Sequence, residues 1–251
     1  MNAPTQRPHL CIIGATSAIA QATARLYAAD GATFFLVGRQ QSRLEAVAAD
    51  LTARGAGSVT AYVCDVNRVD DHEALLDAAW RSLGPVDVVC IAHGLMAPQP
   101  ACDQDVACTL ETLQANAIST IALLVRLANR MIAQRHGTLA VITSVAGERG
   151  RRANYTYGAS KGAVTLFLQG LRSRLYRHGV HVCTIKPGPV RTPLTDALRK
   201  NFLFVEPAAI GAGIYRAIRN RRDVVYLPWY WRGIMAVVRS LPEAVTKRIG
   251  L

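Results

Sequence analysis

Short apolar runs alternate with longer amphipathic segments along almost the whole chain, and this alternation restricts the folds that the sequence can adopt. The apolar runs, each of strand length, are residues 10–13, 33–37, 59–64, 86–91, 139–143, 180–185 and 224–227. The segments with helical periodicity are residues 19–29, 42–54, 71–83, 109–135, 157–177 and 207–219. Continuous apolar strands joined by helices indicate a parallel sheet covered on both faces. We therefore expect a doubly wound α/β fold.

The whole chain is expected to form one domain. Its 251 residues suffice for a single large α/β unit with a well-buried core. No proline- or glycine-rich linker interrupts residues 1–251, and no internal repeat is visible.

Cysteine usage and hydropathy favour the cytoplasm. The six cysteines lack metal-ligand spacing, so no metal site is expected; they are Cys11, Cys64, Cys90, Cys102, Cys108 and Cys183. Several lie in apolar runs, where a free thiol behaves as a small hydrophobe. Residues 1–9 are too short and polar for a secretory signal. The longest apolar stretch, 117–128, is interrupted by Arg126 and is shorter than the roughly 20 residues of a membrane span.

The formal net charge of +12 needs an anionic partner or surface to explain it. Nucleic acid is not expected, because no helix-turn-helix, RNA-binding or zinc motif accompanies the charge. A phosphorylated ligand or an anionic membrane surface explains the charge better.

The turn after the first apolar run has features of a pyrophosphate site. Gly14 permits a sharp turn, and the small residues between Gly14 and Ile19 let a phosphate approach the backbone. The N-terminus of the following helix attracts negative charge. A plain strand–helix turn, with Thr16 or Ser17 as N-cap, is the alternative.

The second apolar run ends at Gly38-Arg39. In doubly wound folds that bind a nicotinamide cofactor, a residue near this place discriminates between NAD and NADP. An acidic residue at this place would bind the ribose 2′-hydroxyl of NAD, whereas an arginine accommodates a 2′-phosphate. Arg39 therefore favours NADP(H) over NAD(H). The alternative is a solvated surface arginine.

Tyr157 and Lys161 lie four residues apart and are expected on one helix face, with Ser144 arriving from the end of a preceding strand. An ammonium beside the phenol would lower the tyrosine pKa from about 10 towards neutral pH and let the tyrosine exchange a proton with a substrate oxygen. The alternative is a packed tyrosine and a solvated lysine at a helix start.

These motifs, in this order and spacing over about residues 9–227, resemble the short-chain dehydrogenase/reductase family. The matching residues are Gly14, Ala18, Ala20, Cys64, Asp65, Val66, Asn116, Ser144, Tyr157, Lys161, Pro187, Gly188 and Thr192. The resemblance implies a Rossmann-type, seven-stranded parallel sheet and NAD(P)-dependent oxidoreduction of a carbonyl or alcohol.

The resemblance also implies roles for individual residues. The implied catalytic group is Asn116, Ser144, Tyr157 and Lys161. The implied cofactor-binding residues, with those derived above, are Gly14, Thr16, Ser17, Ala18, Ile19, Arg39, Asp65, Val66, Ala92, His93, Gly94, Tyr157, Lys161, Pro187, Gly188, Val190 and Thr192. Asp65 and Val66 would contact the adenine, and Asn116 would hold a water that leads to Lys161. Lys161 would also bind the nicotinamide ribose, and Thr192 with the backbone near Val190 would hold the carboxamide.

Two departures from the family pattern stand out. Ala92-His93-Gly94 replaces Asn-Ala-Gly after the fourth strand, which removes an asparagine that steadies the sheet. His93 is expected to be structural rather than catalytic, although it could face the cofactor ribose. Ala18 and Ala20 replace two glycines and narrow the approach to the pyrophosphate.

Residues 193–206 lie where the family places a mobile substrate lid, and their apolar side chains fit either a bulky or lipidic substrate or core contacts.

In the basic, aromatic tail 228–251, a helical stripe runs from Trp231 to Leu241. The tail suits either a membrane interface or packing on the body or on a second subunit. It resembles, more weakly, the branch of decaprenylphosphoryl-2-keto-ribose reductases, which would imply a polyprenyl-phosphate-linked keto-sugar.

The expected protein is a cytoplasmic NADP(H)-dependent reductase that acts on a ketone, with a small-molecule or lipid-linked substrate. A homodimer or homotetramer is expected, with peripheral contact to the inner face of the membrane through the tail as an option. The alternative is a catalytically idle dinucleotide-binding scaffold or redox sensor at a membrane surface.

Overall fold

The computed structural model describes residues 7–196 and 199–249. Within these ranges the strands are β1 His9–Ile13, β2 Thr33–Gly38, β3 Ser58–Val63, β4 Val88–Ile91, β5 Thr138–Ile142, β6 His181–Pro187 and β7 Val224–Leu227. The α-helices are α1 Ala18–Ala29, α2 Gln41–Ala53, α3 His72–Leu83, α4 Gln99–Gln104, α5 Val106–Leu113, α6 Ser119–Gln134, α7 Tyr155–Tyr176, α8 Pro207–Arg219, α9 Trp231–Ser240 and α10 Glu243–Ile249. Parts of three predicted segments lie outside the described residues: 1–6 of the polar N-terminus, 197–198 of the lid and 250–251 of the tail.

The strands form one parallel sheet in the order β3-β2-β1-β4-β5-β6-β7. β1 pairs with β2 on one side and with β4 on the other, so the direction of winding reverses between β1 and β4. In sheets of this kind, ligands bind at the carboxyl ends of the strands beside that reversal. The predicted fold class is confirmed.

Alternate residues of the strands feed two separate cores. On β1, Cys11 and Ile13 belong to the core under α3, α6 and α7. Leu10 and Ile12 belong to the core under α1, α2 and α8. Because both faces of the five inner strands are buried, these strands read as continuous apolar runs rather than as alternating patterns, whereas the edge strands β3 and β7 are partly exposed.

The predicted helix 109–135 is divided by a π-helical turn, Gln114–Ile118, between α5 and α6. Contrary to the expectation from the sequence, the stretch Val106–Gln134 is long and apolar enough, by length and composition, to pass for a membrane span. Its apolar character has a structural cause, since Leu123, Leu124 and Leu127 are fully buried against the sheet.

The tail packs on the body of the same chain. Trp231 and Met235 of α9 are buried against Val145, which lies in the turn after β5. The guanidinium of Arg149 donates to Glu243 Oε2 at 2.7 Å, which ties α10 to the segment after that turn. Of the placements that the sequence left open, the structure shows intrachain packing.

Candidate active site

A cleft of about 810 Å³ lies at the carboxyl end of the sheet and collects nearly every predicted site residue. All seventeen predicted cofactor-binding residues and Ser144 line it. Asn116 does not line the cleft and lies fully buried behind it. The sequence prediction therefore locates the site, while the individual roles remain predictions.

Gly14 makes the turn between β1 and α1 for two reasons. Its φ of +83° is one that residues with a side chain rarely adopt. A Cβ there would also lie 2.5 Å from the backbone nitrogen of His93, which follows β4. Ser17 occupies the N-cap position of α1, but its side chain makes no capping hydrogen bond. The turn thus brings backbone and a free hydroxyl to the floor of the cleft at a helix N-terminus.

Two arginines lie at the end of the cleft next to β2. Arg39 follows β2, and Arg43 lies one helical turn later in α2; both are exposed and line the cleft. Among the described residues, neither guanidinium forms a salt bridge or hydrogen bond. Sequence reasoning missed Arg43, which lies four residues after Arg39 in the first turn of α2.

Ser144, Tyr157 and Lys161 meet at the opposite end of the cleft. Ser144 follows β5 and accepts a hydrogen bond from the amide of Ala146 at 3.1 Å, which starts the turn Val145–Glu148. Tyr157 lies in the first turn of α7, and Lys161 lies one turn further along. The Lys161 Nζ donates to the carbonyl oxygen of Ile142 at 3.1 Å and lies 5.9 Å from the centroid of the Tyr157 ring.

The electrostatics of this pair differ from the sequence prediction. Burial raises the pKa of Tyr157 to about 12, and the neighbouring Ser144 hydroxyl opposes this shift. Burial also lowers the pKa of Lys161 to about 8. The prediction of a lowered tyrosine pKa is therefore wrong for this structure. Desolvation of the phenolate outweighs the pull of an ammonium that is hydrogen-bonded to a backbone carbonyl rather than to the phenol.

Asn116 acts on the backbone that follows β4. Its Oδ1 accepts from the amide of Leu95 at 2.7 Å, and its Nδ2 donates to the carbonyl of Leu95 at 2.7 Å. Nδ2 also lies 3.1 Å from the Ser160 hydroxyl of α7. A Cβ at Gly94 would stand 3.1 Å from Asn116 Oδ1 and 3.4 Å from Lys161 Nζ. Glycine at 94 therefore leaves room for both polar groups on the same side of the turn.

His93 connects the end of β4 to the start of α6. Its Nε2 lies 3.0 Å from the Ser119 hydroxyl and 3.2 Å from the Thr120 hydroxyl. Burial lowers its pKa to about 3, and the nearby Lys161 adds to that shift. A histidine that stays neutral and bonded to helix hydroxyls fits the structural role expected from the sequence.

The tail contributes to the wall of the cleft beside β6. The indole of Trp231 lies so close to Gly188 that a Cβ there would meet its Nε1 at 2.0 Å. Trp231 lines the cleft, and its Nε1 is buried without a hydrogen-bond partner. Sequence reasoning placed this tryptophan in the tail and missed its contact with the site, because nothing in the local pattern reports that contact.

The described part of the predicted lid folds back onto the segment after β6. Val190 and Val205 form an isolated parallel bridge, and the amide of Arg191 donates to the carbonyl of Val205 at 2.9 Å. Phe204 is buried and lines the cleft, whereas Phe202 is 90% exposed. Phe204 therefore faces the site, whereas Phe202 neither lines the cleft nor packs in a core, and the role of this segment as a substrate lid stays a prediction.

Arg151 and Asn154 are two further cleft residues that sequence reasoning did not assign. The chain had shown only a dense group of arginines at 149–152. The Arg151 Nε and the Asn154 Oδ1 are buried without hydrogen-bond partners.

The parallel sheet, the glycine turn at the winding reversal and the tyrosine–lysine pair define a dinucleotide-binding oxidoreductase. The sequence profile of the short chain dehydrogenase family matches residues 8–202. The chain belongs to the short-chain dehydrogenase/reductase family and is an NAD(P)-dependent oxidoreductase of that family.

Relatives of known sequence extend over nearly the whole chain. An uncharacterized oxidoreductase of Mycobacterium tuberculosis is 33% identical over 238 residues, covering 95% of each chain. An uncharacterized oxidoreductase of Streptomyces coelicolor is 34% identical over 244 residues, covering 96% of this chain and 95% of the relative.

Solved structures share the fold. A short-chain type dehydrogenase/reductase from Mycobacterium ulcerans superimposes with a TM-score of 0.80 at 23% identity, covering 90% of each chain. An actinorhodin polyketide ketoreductase solved with NADPH gives a TM-score of 0.76 at 24% identity, covering 86% of this chain and 92% of that one.

Proposed function

We propose that the protein reduces a ketone with NADPH, with Tyr157 as the proton donor. The observation that carries the proposal is that Ser144, Tyr157 and Lys161 line the same cleft as the glycine turn and Arg39. A hydroxyl, a buried phenol and an ammonium at one end, with cationic groups at the other, suit a charged dinucleotide bound across the sheet edge.

The residues present fit a phosphorylated nicotinamide dinucleotide. The backbone at Gly14 and the start of α1 would hold the pyrophosphate, and Asp65 would bind the adenine side. Arg39 and Arg43, exposed and without acidic partners among the described residues, would hold a 2′-phosphate. The actinorhodin ketoreductase structure contains NADPH, which agrees with this preference. When bound, the cofactor supplies hydride for the carbonyl carbon.

The protein's own residues then control the proton. Tyr157, with a pKa raised to about 12, keeps its proton at neutral pH and can donate it to a carbonyl oxygen that gains negative charge. The Ser144 hydroxyl can hold the same oxygen. Lys161, still largely charged at neutral pH, stabilises the tyrosinate that forms and can restore its proton. Asn116 fixes the Leu95 backbone beside this group.

Cofactor binding and turnover test the proposal separately. Titration with NADPH and NADH, followed by cofactor fluorescence, measures the two dissociation constants, and we expect tighter binding of NADPH. NADPH oxidation is then measured with a panel of ketones that includes lipid-linked keto-sugars. Binding without turnover of any ketone would favour the idle dinucleotide-binding scaffold, and failure to bind either cofactor would contradict the reductase.

The substrate end of the cleft favours a ketone with an apolar portion, including a lipid-linked one. Leu194, Leu203, Phe204 and Trp231 all line it. Leu203 and Tyr230 both pack against the buried cluster of Val145, Trp231 and Met235. The residues that precede them in the chain, Phe202 and Trp229, are 90% and 81% exposed. These exposed aromatic rings support peripheral contact of this region with the inner face of the membrane. Co-sedimentation with anionic vesicles should be weakened by Phe202→Ser combined with Trp229→Ser; unchanged co-sedimentation would contradict membrane contact there.

We propose that the partner of the α5–α7 region is a second copy of the chain. Large apolar side chains are exposed on these three helices, namely Val106, Leu110, Val125 and Leu166. Exposed apolar surface of this kind is typical of a self-complementary interface.

A further inference from the structure

The cleft contains a cationic side chain that has no anionic partner in the described part of the chain. Arg151 lies in the connection between β5 and α7 and lines the cleft with Tyr157. Its Nε is buried and makes no hydrogen bond, and its guanidinium forms no salt bridge within residues 7–196 and 199–249. Burial lowers the pKa of this guanidinium.

The neighbouring arginines do not share this environment. Arg149 donates to Glu243 Oε2 at 2.7 Å and to the Thr246 hydroxyl at 2.8 Å, so its charge is satisfied by the tail. Arg152 is exposed to solvent and does not line the cleft. Of the dense arginine group, Arg151 alone is directed to the cleft and lacks a partner among the described residues.

Asn154 adds a second polar group on the same turn. Its backbone N–H donates to the backbone carbonyl of Arg151 at 3.0 Å, and this bond closes the turn before α7. Asn154 also lines the cleft. The side-chain Oδ1 is buried without a partner. Both groups are costly to leave buried and unpaired, but they need different partners. The Arg151 Nε–H is a donor that an anion can satisfy, whereas the Asn154 Oδ1 is an acceptor that needs an O–H or N–H donor of a ligand.

Within the described residues, no acidic side chain pairs with Arg151. Glu111 of α5 is an acidic residue that lines the cleft, and it forms no salt bridge with Arg151. Asp65 lies at the opposite, cofactor side of the cleft, after β3.

We propose that the Arg151 guanidinium binds an anionic group of the substrate, a carboxylate or a phosphate, while the ketone of the same molecule meets Tyr157. The substrate class is therefore a keto acid or a keto phosphate, either free or attached to a lipid. This inference rests on the proposed ketone reduction and adds the charge of the substrate to it. A guanidinium is suited to such a group because it donates two parallel hydrogen bonds to two oxygens of one anion.

Turnover of matched ketones tests the proposal. The probes are dihydroxyacetone, which is neutral, dihydroxyacetone phosphate, which is anionic, and 1-palmitoyl-dihydroxyacetone phosphate, which is anionic and lipid-linked. We expect Arg151→Gln to lower kcat/KM for the two anionic ketones about 10- to 100-fold, since a charge-assisted hydrogen bond is lost. The neutral ketone should change less than about threefold. Arg151→Lys should restore part of the loss, and Arg152→Gln, on the exposed neighbour, should behave as wild type.

The outcomes separate this inference from the proposed function. Equal loss on neutral and anionic ketones, or no loss on anionic ones, would overturn the anion site while leaving ketone reduction intact. The relative rates of the free and the palmitoylated phosphate distinguish a soluble from a lipid-linked substrate, and a preference for either over dihydroxyacetone supports the proposal.

A binding measurement covers the case in which none of these ketones is reduced. Protein saturated with NADPH, so that the cofactor's own phosphate sites are filled, is titrated with inorganic phosphate while its Tm is followed. Wild type and Arg152→Gln should gain stability with phosphate, and Arg151→Gln should not. The same gain in all three proteins would overturn the site even if no ketone is turned over.

Discussion

At the scale of single residues, burial in the cleft disfavours the charged forms of both Tyr157 and Lys161, the proposed catalytic pair. Burial raises the pKa of Tyr157 to about 12 and lowers that of Lys161 to about 8. A phenol that keeps its proton is suited to donate it during reduction, whereas the opposite reaction would need the tyrosinate. The protonated phenol therefore fits the proposed role of Tyr157 as proton donor in ketone reduction.

The pH dependence of reduction should report Lys161. Its ammonium exists below its pKa of about 8 and is lost as the pH rises through that value, whereas Tyr157 stays protonated throughout. We expect kcat/KM for ketone reduction to be level near pH 7 and to fall above about pH 8. Lys161→Arg keeps its charge at these pH values and should move the decline upward, even if its rate is lower. A wild-type profile that stays level to about pH 9.5 would contradict a role for the lysine charge.

Cofactor preference should depend on the two arginines beside β2. Arg39→Ala and Arg43→Ala each remove a partner of the 2′-phosphate, so each should weaken NADPH binding about 10-fold or more and NADH binding less than about threefold. Dissociation constants from cofactor fluorescence measure both. Arg68→Ala, on an exposed arginine outside the cleft, is the matched control. Equal losses for the two cofactors would show that these arginines serve only as surface charge.

At the scale of secondary-structure elements, α9 is a wall of the site as well as a packed helix. Met235 is 2% exposed and packs with Trp231, whose indole covers Gly188, whereas Ile234 on the same helix is 36% exposed. Met235→Ala should reduce the free energy of unfolding by about 2–5 kcal/mol, while Ile234→Ala should cost well under about 1 kcal/mol. Chemical denaturation measures both. Similar small losses for the two variants would show that α9 is not docked in solution.

The elements themselves could be predicted from sequence, but their contacts could not. The apolar runs identified the seven strands of the described residues, with ends shifted by at most two residues, because the inner strands are buried on both faces and are therefore almost entirely apolar. The stripe from Trp231 to Leu241 predicted a helix, yet periodicity shows only that one face is buried and not what covers it. The contact between Trp231 and Gly188 spans 43 positions and depends on the folded chain.

At the scale of the whole molecule, site residues from widely separated parts of the chain meet, largely because the parallel strands bring their carboxyl ends to one edge. That convergence made most of the site predictable, since motif residues follow successive strands. Arg151 and Asn154 were not predictable, because their distinguishing property is the lack of a partner, which only the folded structure reveals.

The oligomeric state is also a property of the whole molecule. If α5–α7 bind a second copy, Leu166→Glu, which puts a charge on a side chain that is 69% exposed, should shift the protein from dimer to monomer in sedimentation experiments. Leu26→Glu, on the 37% exposed position of α1, should leave the assembly unchanged. Dissociation by both variants or by neither would place the interface elsewhere.

The most direct test of the account is Tyr157→Phe, assayed for NADPH binding and for ketone reduction in the same preparation. The substitution removes only the phenolic hydroxyl, so we expect the NADPH dissociation constant to stay within about twofold and kcat to fall at least about 100-fold. Turnover near the wild-type rate with NADPH still bound would contradict the assignment of Tyr157 as the proton donor.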